Sequence, residues 1–493
     1  MGTFVSRVEK KLRKKKAVNE GNSLKNCVLF ILFLIFYSCT HARRLKSMLC
    51  SYKTHGLGKW NIGHCNEKYL PHERGFNYYF GYLCPGHGYR TFDCGMEAGV
   101  KDMIEGYSSI DETTGERVTS WNTGAQYEGI YDTELYRDFA VEIVKKHAAT
   151  YGPSGTNSPL FLWSAQHGIH AEYDSEPIPP SSMLSESNED YLKALDLRMK
   201  DCSDSEEKRF FKMRKITASV LMSIDNSLKS LVKTLDDVDM LGNTVLFVNS
   251  DNGGDTVYTK GHPGNNFPLR SEKFGYYEGG VRVPAFVFAP GHLPVARQGT
   301  SFHGLMHHVD LLTTFIALAG GDVSSTTIEH GLDGYDMWPA IRGEVTGPRS
   351  ELVLNMPREK TWKLGENKTD EGVAIRMGNY KLLLNHPVDY WFSPDKGQDY
   401  HSAQEMMAAV CQYDFYTSAR TTNSQCEYMN LLFDLSLDPH ERNNLWISQD
   451  HQEIRQALIE RAEELVTLPQ HDYGKILYEY YRKPPHDATA AFK

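Results

Sequence analysis

Thr244-Val245-Leu246-Phe247-Val248-Asn249-Ser250-Asp251-Asn252-Gly253-Gly254 is the stretch on which the fold class turns. Its β-branched and aromatic first half, Thr244 to Val248, predicts a buried strand, and the two glycines end that strand sharply. In open α/β sheets ligands bind beyond the carboxyl ends of the strands, which puts Asp251 and Asn252 where chemistry is usually done. One supplies a carboxylate and the other an amide carbonyl, both hard oxygen donors suited to calcium or magnesium. Asn and Gly also favour turns for conformational reasons alone, so by itself the stretch reads first as a turn after a strand.

Outward from this stretch, strand-like runs at Leu160 to Trp163 and Ala285 to Ala289 alternate with helical patterns. Ile216, Val220, Ile224, Leu228, Leu231 and Leu235 recur at spacings of three and four, and Gly242 stops that helix. Thr133 is placed to cap another helix running through Val144 and Ala148. Alternating strands and helices imply a mostly parallel sheet covered on both faces. The pattern changes near residue 345. Glu351 to Leu354, Val373 to Met377 and Tyr380 to Leu384 read as short antiparallel strands, the last two joined at Gly378-Asn379. An amphipathic helix follows from Gln452 to about Val466. The expected organisation is an N-terminal segment 1–50, an α/β domain 51–345 and a smaller α+β domain 346–493. Residues 171–206, polar and rich in Pro and Ser, read as a long surface excursion.

Composition narrows the function classes. The 493 residues are 40% hydrophobic and 24% charged, ordinary for a globular protein, and 63 acids against 53 bases leave a net charge of -10. That acidic balance argues against nucleic acid as a partner. No paired CxxC, P-loop or GxGxxG string occurs, so zinc-finger, nucleotide-kinase and dehydrogenase readings lose their warrants. The N-terminus differs from the rest: a basic block from Lys10 to Lys16 precedes the apolar stretch Cys27 to Phe36. At about 1.5 Å per residue the stretch falls short of the roughly 30 Å bilayer core. It reads as a secretory signal or signal anchor, the other reading being a buried strand with a basic tail. Nine cysteines, Cys50, Cys65, Cys84 and Cys94 early and Cys411 with Cys426 late, fit some disulfides in an exported protein and leave at least one thiol over. Asn367-Lys368-Thr369 is a glycosylation sequon. The chain is therefore expected in the secretory pathway: secreted, lysosomal or membrane-anchored.

Further stretches give Asp251 its company. They are GKWNIG (58–63), LPHERGFNYYFGY (70–82), the histidines of Gln166-His167-Gly168-Ile169-His170, PLRSEK leading into YYEGGVRVP (268–284), GLDGYDMW (331–338) and LFDLSLDPHERNNL (432–445). With these in this order, the chain resembles the sulfatase family, most closely the arylsulfatase B type. The resemblance implies an alkaline-phosphatase-like α/β/α sandwich with a smaller C-terminal antiparallel domain, and calcium-assisted hydrolysis of sulfate esters. It implies that Asp251 and Asn252 are calcium ligands, that Lys273 holds a sulfate oxygen and that His170 stands beside the leaving ester oxygen. Lys59 matches the lysine that orients the nucleophile, a formylglycine hydrate made in the family from the cysteine of a C-x-P-x-R motif. Each residue type suits the reaction. A cation and lysines stabilise the negative charge that grows on the leaving oxygen, and a histidine can donate its proton. Taken singly, Lys59, His170 and Lys273 would pass for solvated side chains, Phe274, Tyr276 and Tyr277 for packing or a sugar-binding mouth, and Glu441 and Asn444 for turn residues. His307-His308-Val309-Asp310 reads as the start of a core helix.

The chain also departs from the family pattern. No Asp-Asp pair ends an early strand, the first aspartate being Asp93. No C-x-P-x-R occurs, and Cys39-Thr40-His41-Ala42-Arg43 lacks the proline. Asn61 stands where GKWH would place a histidine, and an amide cannot act as a base. The expectation is a sulfatase-like protein of sulfated carbohydrate or aryl sulfate esters whose catalysis is impaired in this chain. Two alternatives stand beside it: an inactive glycan- or anion-binding protein, and a phosphoesterase of the same superfamily.

Overall fold

The computed structural model describes residues 28–32, 52–94, 99–111, 113–114, 117–153, 158–170, 178–183, 186–203, 205–256, 264–323, 333–357, 372–392 and 428–467. The basic block, Cys39, Cys50, the sequon at Asn367 and the cysteines 411 and 426 lie outside them. The described residues fall into two compact units. One is drawn from 1–251, 258–264 and 284–348, the other from 252–257, 265–283 and 349–493.

The first unit is an α/β layer built on an eight-stranded sheet in the order β5-β4-β3-β2-β6-β1-β7-β8. Its strands are β1 (Val28–Leu32), β2 (Lys53–Lys59), β3 (Tyr78–Tyr82), β4 (Ile104–Ile110), β5 (Arg117–Thr123), β6 (Leu160–Ala165), β7 (Thr244–Asn249) and β8 (Ala285–Phe288). From β3 to β7 every pairing is parallel. The pairings of β3 with β4, β4 with β5 and β7 with β8 are antiparallel. All six residues of β6 are buried, as are the last four of β2, so both sheet faces are covered, as parallel sheets require. Within β2, Gly58 packs so closely on β6 that a Cβ there would lie 1.9 Å from the Ala165 carbonyl oxygen. Helices α1 (Asp132–Tyr151), α2 (Glu186–Asp201), α3 (Ser205–Asp237) and α4 (His308–Leu318) complete the unit. The six apolar positions that predict α3 are all buried.

Three expectations change. Thr133 is the second residue of α1 rather than its cap, and its hydroxyl donates to Asp132 Oδ1 at 3.0 Å. The stretch read as a surface excursion contains α2, a largely exposed helix that packs on α3 and buries Leu192 and Leu195. The cysteines behave as expected: Cys84 and Cys94 form a disulfide, while the exposed Cys65 and the half-buried Cys202 stand outside any disulfide among the described residues. Most consequentially, half of the apolar stretch read as a signal or anchor is β1, paired on one side with β6 and on the other with β7. An apolar run serves a central parallel strand as well as it serves a membrane-directed segment, and here the sheet takes it. Among the described residues no helix is long and apolar enough to cross a membrane.

The second unit carries a four-stranded antiparallel sheet, β12-β11-β10-β9, made of Glu351–Asn355, Val373–Met377, Tyr380–Pro387 and Tyr428–Asp434 in chain order. Gly378-Asn379 forms the two-residue turn between β10 and β11. Helix α5 (Gln452–Thr467) lays Leu458, Ala462 and Val466 onto Val373, Ile375, Leu382 and Leu384. Tyr277 belongs to a further apolar cluster with Leu383 and Phe433, so it is a core residue and cannot line a sugar mouth. Phe274 is 64% exposed.

Two histidines make the first unit sensitive to acid. His55 is pushed down to about 3 by burial, helped by His147 and Lys53, and burial holds His147 at about 4. His55 Nδ1 and His147 Nε2 are buried without partners. Both rings are neutral in the fold, whereas the unfolded chain protonates them below about 6.5. Their contribution is therefore complete above that pH and is lost as the pH falls toward 4. The melting temperature should drop between pH 6.5 and 4.5, and the drop should be shallower in a His55→Asn/His147→Asn variant. An equal slope in both proteins would remove these rings from the account.

Candidate functional site

The carboxyl ends of the parallel strands gather the chemistry of the first unit. Lys59 closes β2 opposite Tyr82, the last residue of β3, and Gly58 pairs with Ala165, the last residue of β6. Gln166 and His167 follow β6 directly, and Asp251 follows β7 by two residues. Lys59 is buried, and its neighbour Trp60 anchors the motif in the core. Trp60 meets Phe76, Tyr79 and Trp163 edge-on, and its indole N–H donates to the carbonyls of Gly63 and Tyr69. GKWNIG and RGFNYYFGY are thus two halves of one packed platform. Asn61 adopts φ 42°, a left-handed conformation that asparagine tolerates better than most residues.

The turn of Asp251 is held from two sides: Ser250 N–H donates to Pro284, and His308 Nε2 lies 3.1 Å from the Ser250 carbonyl. His307 and Asp310 form a reciprocal cap at the start of α4, so this histidine pair begins a helix as expected. Burial drives the Tyr82 phenol well above its usual range, and the charges of Asp132 and Asp251 push the same way. Burial also lowers His167 to about 4, opposed by Asp132 and assisted by the charge of Lys59. His170 lies one turn on, its N–H donating to the His167 carbonyl and its ring 5.8 Å from that of His167. Lys59, His170 and Asp251 therefore share the carboxyl edge of the sheet in the first unit.

Asn252 and Lys273 belong to the second unit, on one tightly knit segment. Asn252 Nδ2 donates to the Gly253 carbonyl at 2.8 Å, and Gly253 N–H to Gly280 at 2.9 Å. A Cβ on Gly253 would lie 1.7 Å from the Gly279 oxygen, which explains why the glycines of DNGG and EGGVR occur together. Asn266 clasps Gly254 through both its amide atoms, and Lys273 N–H donates to the Gly254 carbonyl. Beside Lys273, burial and the nearby Asp255 raise Glu272 to about 7, although Thr256 donates to it twice.

Sequence reasoning missed one constellation. His87, Asp132 and His167 meet in the interior of the first unit, with Asp132 Oδ2 at 3.1 Å from His87 Nε2 and 2.8 Å from His167 Nδ1. Burial opposes ionisation of Asp132, yet its two histidine partners outweigh that and bring it to about 2. Separations of 45 and 35 residues leave no local motif, and an aspartate opening a helix reads as an ordinary first-turn acid. The Gly86-His87-Gly88 string between two cysteines was the one available hint.

A family model described as Sulfatase matches residues 50–321, more than half of the chain. Arylsulfatase J of Mus musculus is 26% identical over 419 residues, covering 83% of this chain and 59% of that protein. N-acetylgalactosamine-6-sulfatase of Sus scrofa is 26% identical over 388 residues, covering 78% and 60%. The solved structure of Ps i-CgsB aligns with TM-score 0.56 and 22% identity over 90% of this chain and 79% of its own. PsFucS1 sulfatase from Pseudoalteromonas sp. aligns with TM-score 0.54 and 18% identity, covering 89% and 77%. The chain belongs to the sulfatase family, and its fold is the alkaline-phosphatase-like α/β fold with a separate antiparallel sheet. It spans about three-fifths of the length of these curated relatives. Members of the family generally use a metal ion.

Proposed function

We propose that this protein binds sulfate esters of carbohydrates and descends from enzymes that hydrolyse them, and that the 493-residue chain turns such esters over slowly or not at all. The observation that carries this reading is the placement of Lys59, His170 and Asp251 together at the carboxyl edge of the parallel sheet. Lysine ammonium groups are apt partners for the sulfate oxygens, and His170 is apt for the ester oxygen. Lys273 is assigned a sulfate oxygen on its matching motif. The relatives support the substrate class: N-acetylgalactosamine-6-sulfatase is named for a sulfated sugar, and Ps i-CgsB has been solved with k-i-k-neocarrahexaose. Two features support impairment: none of the nine cysteines lies in a C-x-P-x-R string, and Asn61 cannot serve as a base.

Calcium fits the donor types but not their number. Ca2+ takes six to eight oxygens, and the family motif here supplies one carboxylate, Asp251, and one amide oxygen, Asn252 Oδ1. The Asn252 amide is oriented by its Nδ2 bond to the Gly253 carbonyl. No aspartate precedes Asp93 to complete the set. No catalytic step is therefore routed through the ion. We expect Ca2+ binding no tighter than about 10⁻⁴–10⁻³ M, the weak end of protein calcium sites. At micromolar Ca2+ the melting temperature should not move. A rise of several degrees, abolished by Asp251→Ala, would overturn this.

The Cys84–Cys94 disulfide supports maturation in the secretory pathway, where such bonds persist. The direct test presents the purified chain with a sulfated oligosaccharide, its desulfated counterpart, an aryl sulfate and an aryl phosphate. The expected result is salt-sensitive binding of the sulfated sugar alone, weakened at least tenfold in Lys273→Ala, with negligible hydrolysis of either aryl ester. Robust aryl sulfate cleavage would refute impairment, preferential aryl phosphate cleavage would favour a phosphoesterase, and equal affinity for both sugars would remove the anion site.

A further inference from the structure

His87, Asp132 and His167 come from three separately anchored elements. His87 sits in a loop closed by the Cys84–Cys94 disulfide, and the Asp102 carboxylate grips the start of that loop through the N–H groups of Leu83 and Cys84, at 2.8 and 2.6 Å. Asp132 is the first residue of α1, and His167 lies in the turn after β6. The three side chains are 0% exposed. One candidate donor atom from each lies within 4.8 Å of the others. Tyr82 stacks on His87 at 3.9 Å between ring centroids, and Tyr89 lies 4.1 Å from His167, so the walls are aromatic.

With a neutral ring, one of the two His87 nitrogens presents a lone pair to an acceptor. His87 Nδ1 faces the Asp102 carbonyl at 3.2 Å, while its Nε2 faces Asp132 Oδ2 at 3.1 Å. Both neighbours are acceptors, and a neutral imidazole has a single N–H. With the proton on Nδ1, a ring lone pair is aimed at a carboxylate oxygen. The same oxygen also faces His167 Nδ1. In that tautomer a cation between these atoms, an extra proton or a metal, satisfies the lone pair; in the other tautomer Nε2–H donates to Asp132 and the Nδ1 lone pair faces the Asp102 carbonyl.

We propose that His87 Nε2, Asp132 Oδ2 and His167 Nδ1 form a transition-metal site for Zn2+ or a similar ion. Two imidazoles and one carboxylate suit Zn2+ and disfavour Ca2+, which prefers oxygen throughout. The supporting contacts are those a metal-bound set uses. The His87 Nδ1–H donates to a backbone carbonyl, and the Thr133 hydroxyl donates to the second oxygen of Asp132 at 3.0 Å. Bonds of about 2.0–2.1 Å to one ion separate tetrahedral donors by about 3.3 Å, so the two oxygen–nitrogen gaps of 3.1 and 2.8 Å widen slightly on loading. The ion also compensates a carboxylate that is otherwise buried among neutral rings. This site shares no residue with the Asp251 turn and stands whether or not the chain binds sulfate esters.

The test uses the full chain, stripped with a chelator and titrated with Zn2+, then with Co2+ as a spectroscopic probe. One equivalent should bind with sub-micromolar affinity, giving visible Co2+ absorption of a four-coordinate nitrogen and oxygen set. His87→Gln/His167→Gln should weaken binding at least 100-fold, whereas His303→Gln, on an exposed ring, should leave it unchanged. If the double variant fails to fold, histidine-ring NMR of the wild type decides: Zn2+ should perturb two buried rings and no exposed ones. Binding equal in the double variant, perturbation confined to exposed rings, or no tight equivalent in the wild type would each overturn the proposal and leave a proton in the cluster instead.

Discussion

A chain lacking residues 1–33 is expected to lose the cooperative fold of its first unit altogether. Those residues contain β1, which sits between β6 and β7 and pairs with both: Leu29 is in register with Phe161 and Val245, and Ile31 with Trp163 and Phe247. Removing it splits the parallel sheet down the middle and leaves two facing edges of unpaired N–H and C=O groups. Buried backbone groups are almost always satisfied, and open edges invite association with other chains. The deleted protein should be insoluble, or soluble without protected amides in β6 and β7 by hydrogen exchange. A gentler variant, Phe30→Pro, removes one ladder donor in a central strand, where proline is essentially never found, and should lower the unfolding midpoint clearly. The same experiment bears on the membrane-directed reading of this segment. A signal sequence can be cut away without harm, so a truncated chain that melts at the wild-type temperature would restore that reading and dismiss β1.

What could be read from the chain alone depended on how local the signal was. The strand and turn at 244–254 carry their own punctuation, and α3 carries a long helical repeat, so both appear where the pattern puts them. The hairpin at Gly378-Asn379 is equally local. By contrast, β1 has a sequence that two environments can accept, and only its partners β6 and β7, more than a hundred residues away, decide between them. Tyr277 could be read as packing or as a sugar-binding aromatic because aromatic type does not encode burial; the fold takes the packing reading, its ring clustering with Leu383 and Phe433. Of the candidate site, Lys59, His170 and Asp251 were reachable through ordered motifs. His87 and Asp132 were not, since nothing within either one's neighbourhood points to the other.

Glu441 is a further residue whose role emerges only in the fold, and it sets the largest effect expected in the second unit. It reads as a turn residue, with φ 57°, but its side chain is fully buried beside Lys381. Lys381, on β11, is itself 0% exposed and places its ammonium 3.0 Å from Glu278 Oε1 and 2.9 Å from Glu441 Oε1. Glu441 Oε2 accepts the Glu278 N–H at 2.7 Å, so the two acids are tied by backbone as well as by charge. Arg282 and Arg376 reach Glu278 only at 3.8 and 4.0 Å. Burial raises Glu441, and Lys381 is the chief influence holding it down. Lys381→Met therefore leaves two enclosed carboxylates without their cation. Breaking one partner of a buried pair costs about 3–5 kcal/mol, whereas replacing the whole set by neutral groups is far milder. Urea unfolding of Lys381→Met should show a loss of that size, largely recovered in Lys381→Met/Glu278→Gln/Glu441→Gln. The pH dependence carries the sign. Without the lysine, the folded-state carboxyls titrate higher than in the unfolded chain, so the variant's deficit should be smallest near pH 5 and grow as the pH rises to 8. A single variant within about 1 kcal/mol of wild type, or a deficit flat across that range, would show that this triad is not what holds the small sheet to its turn.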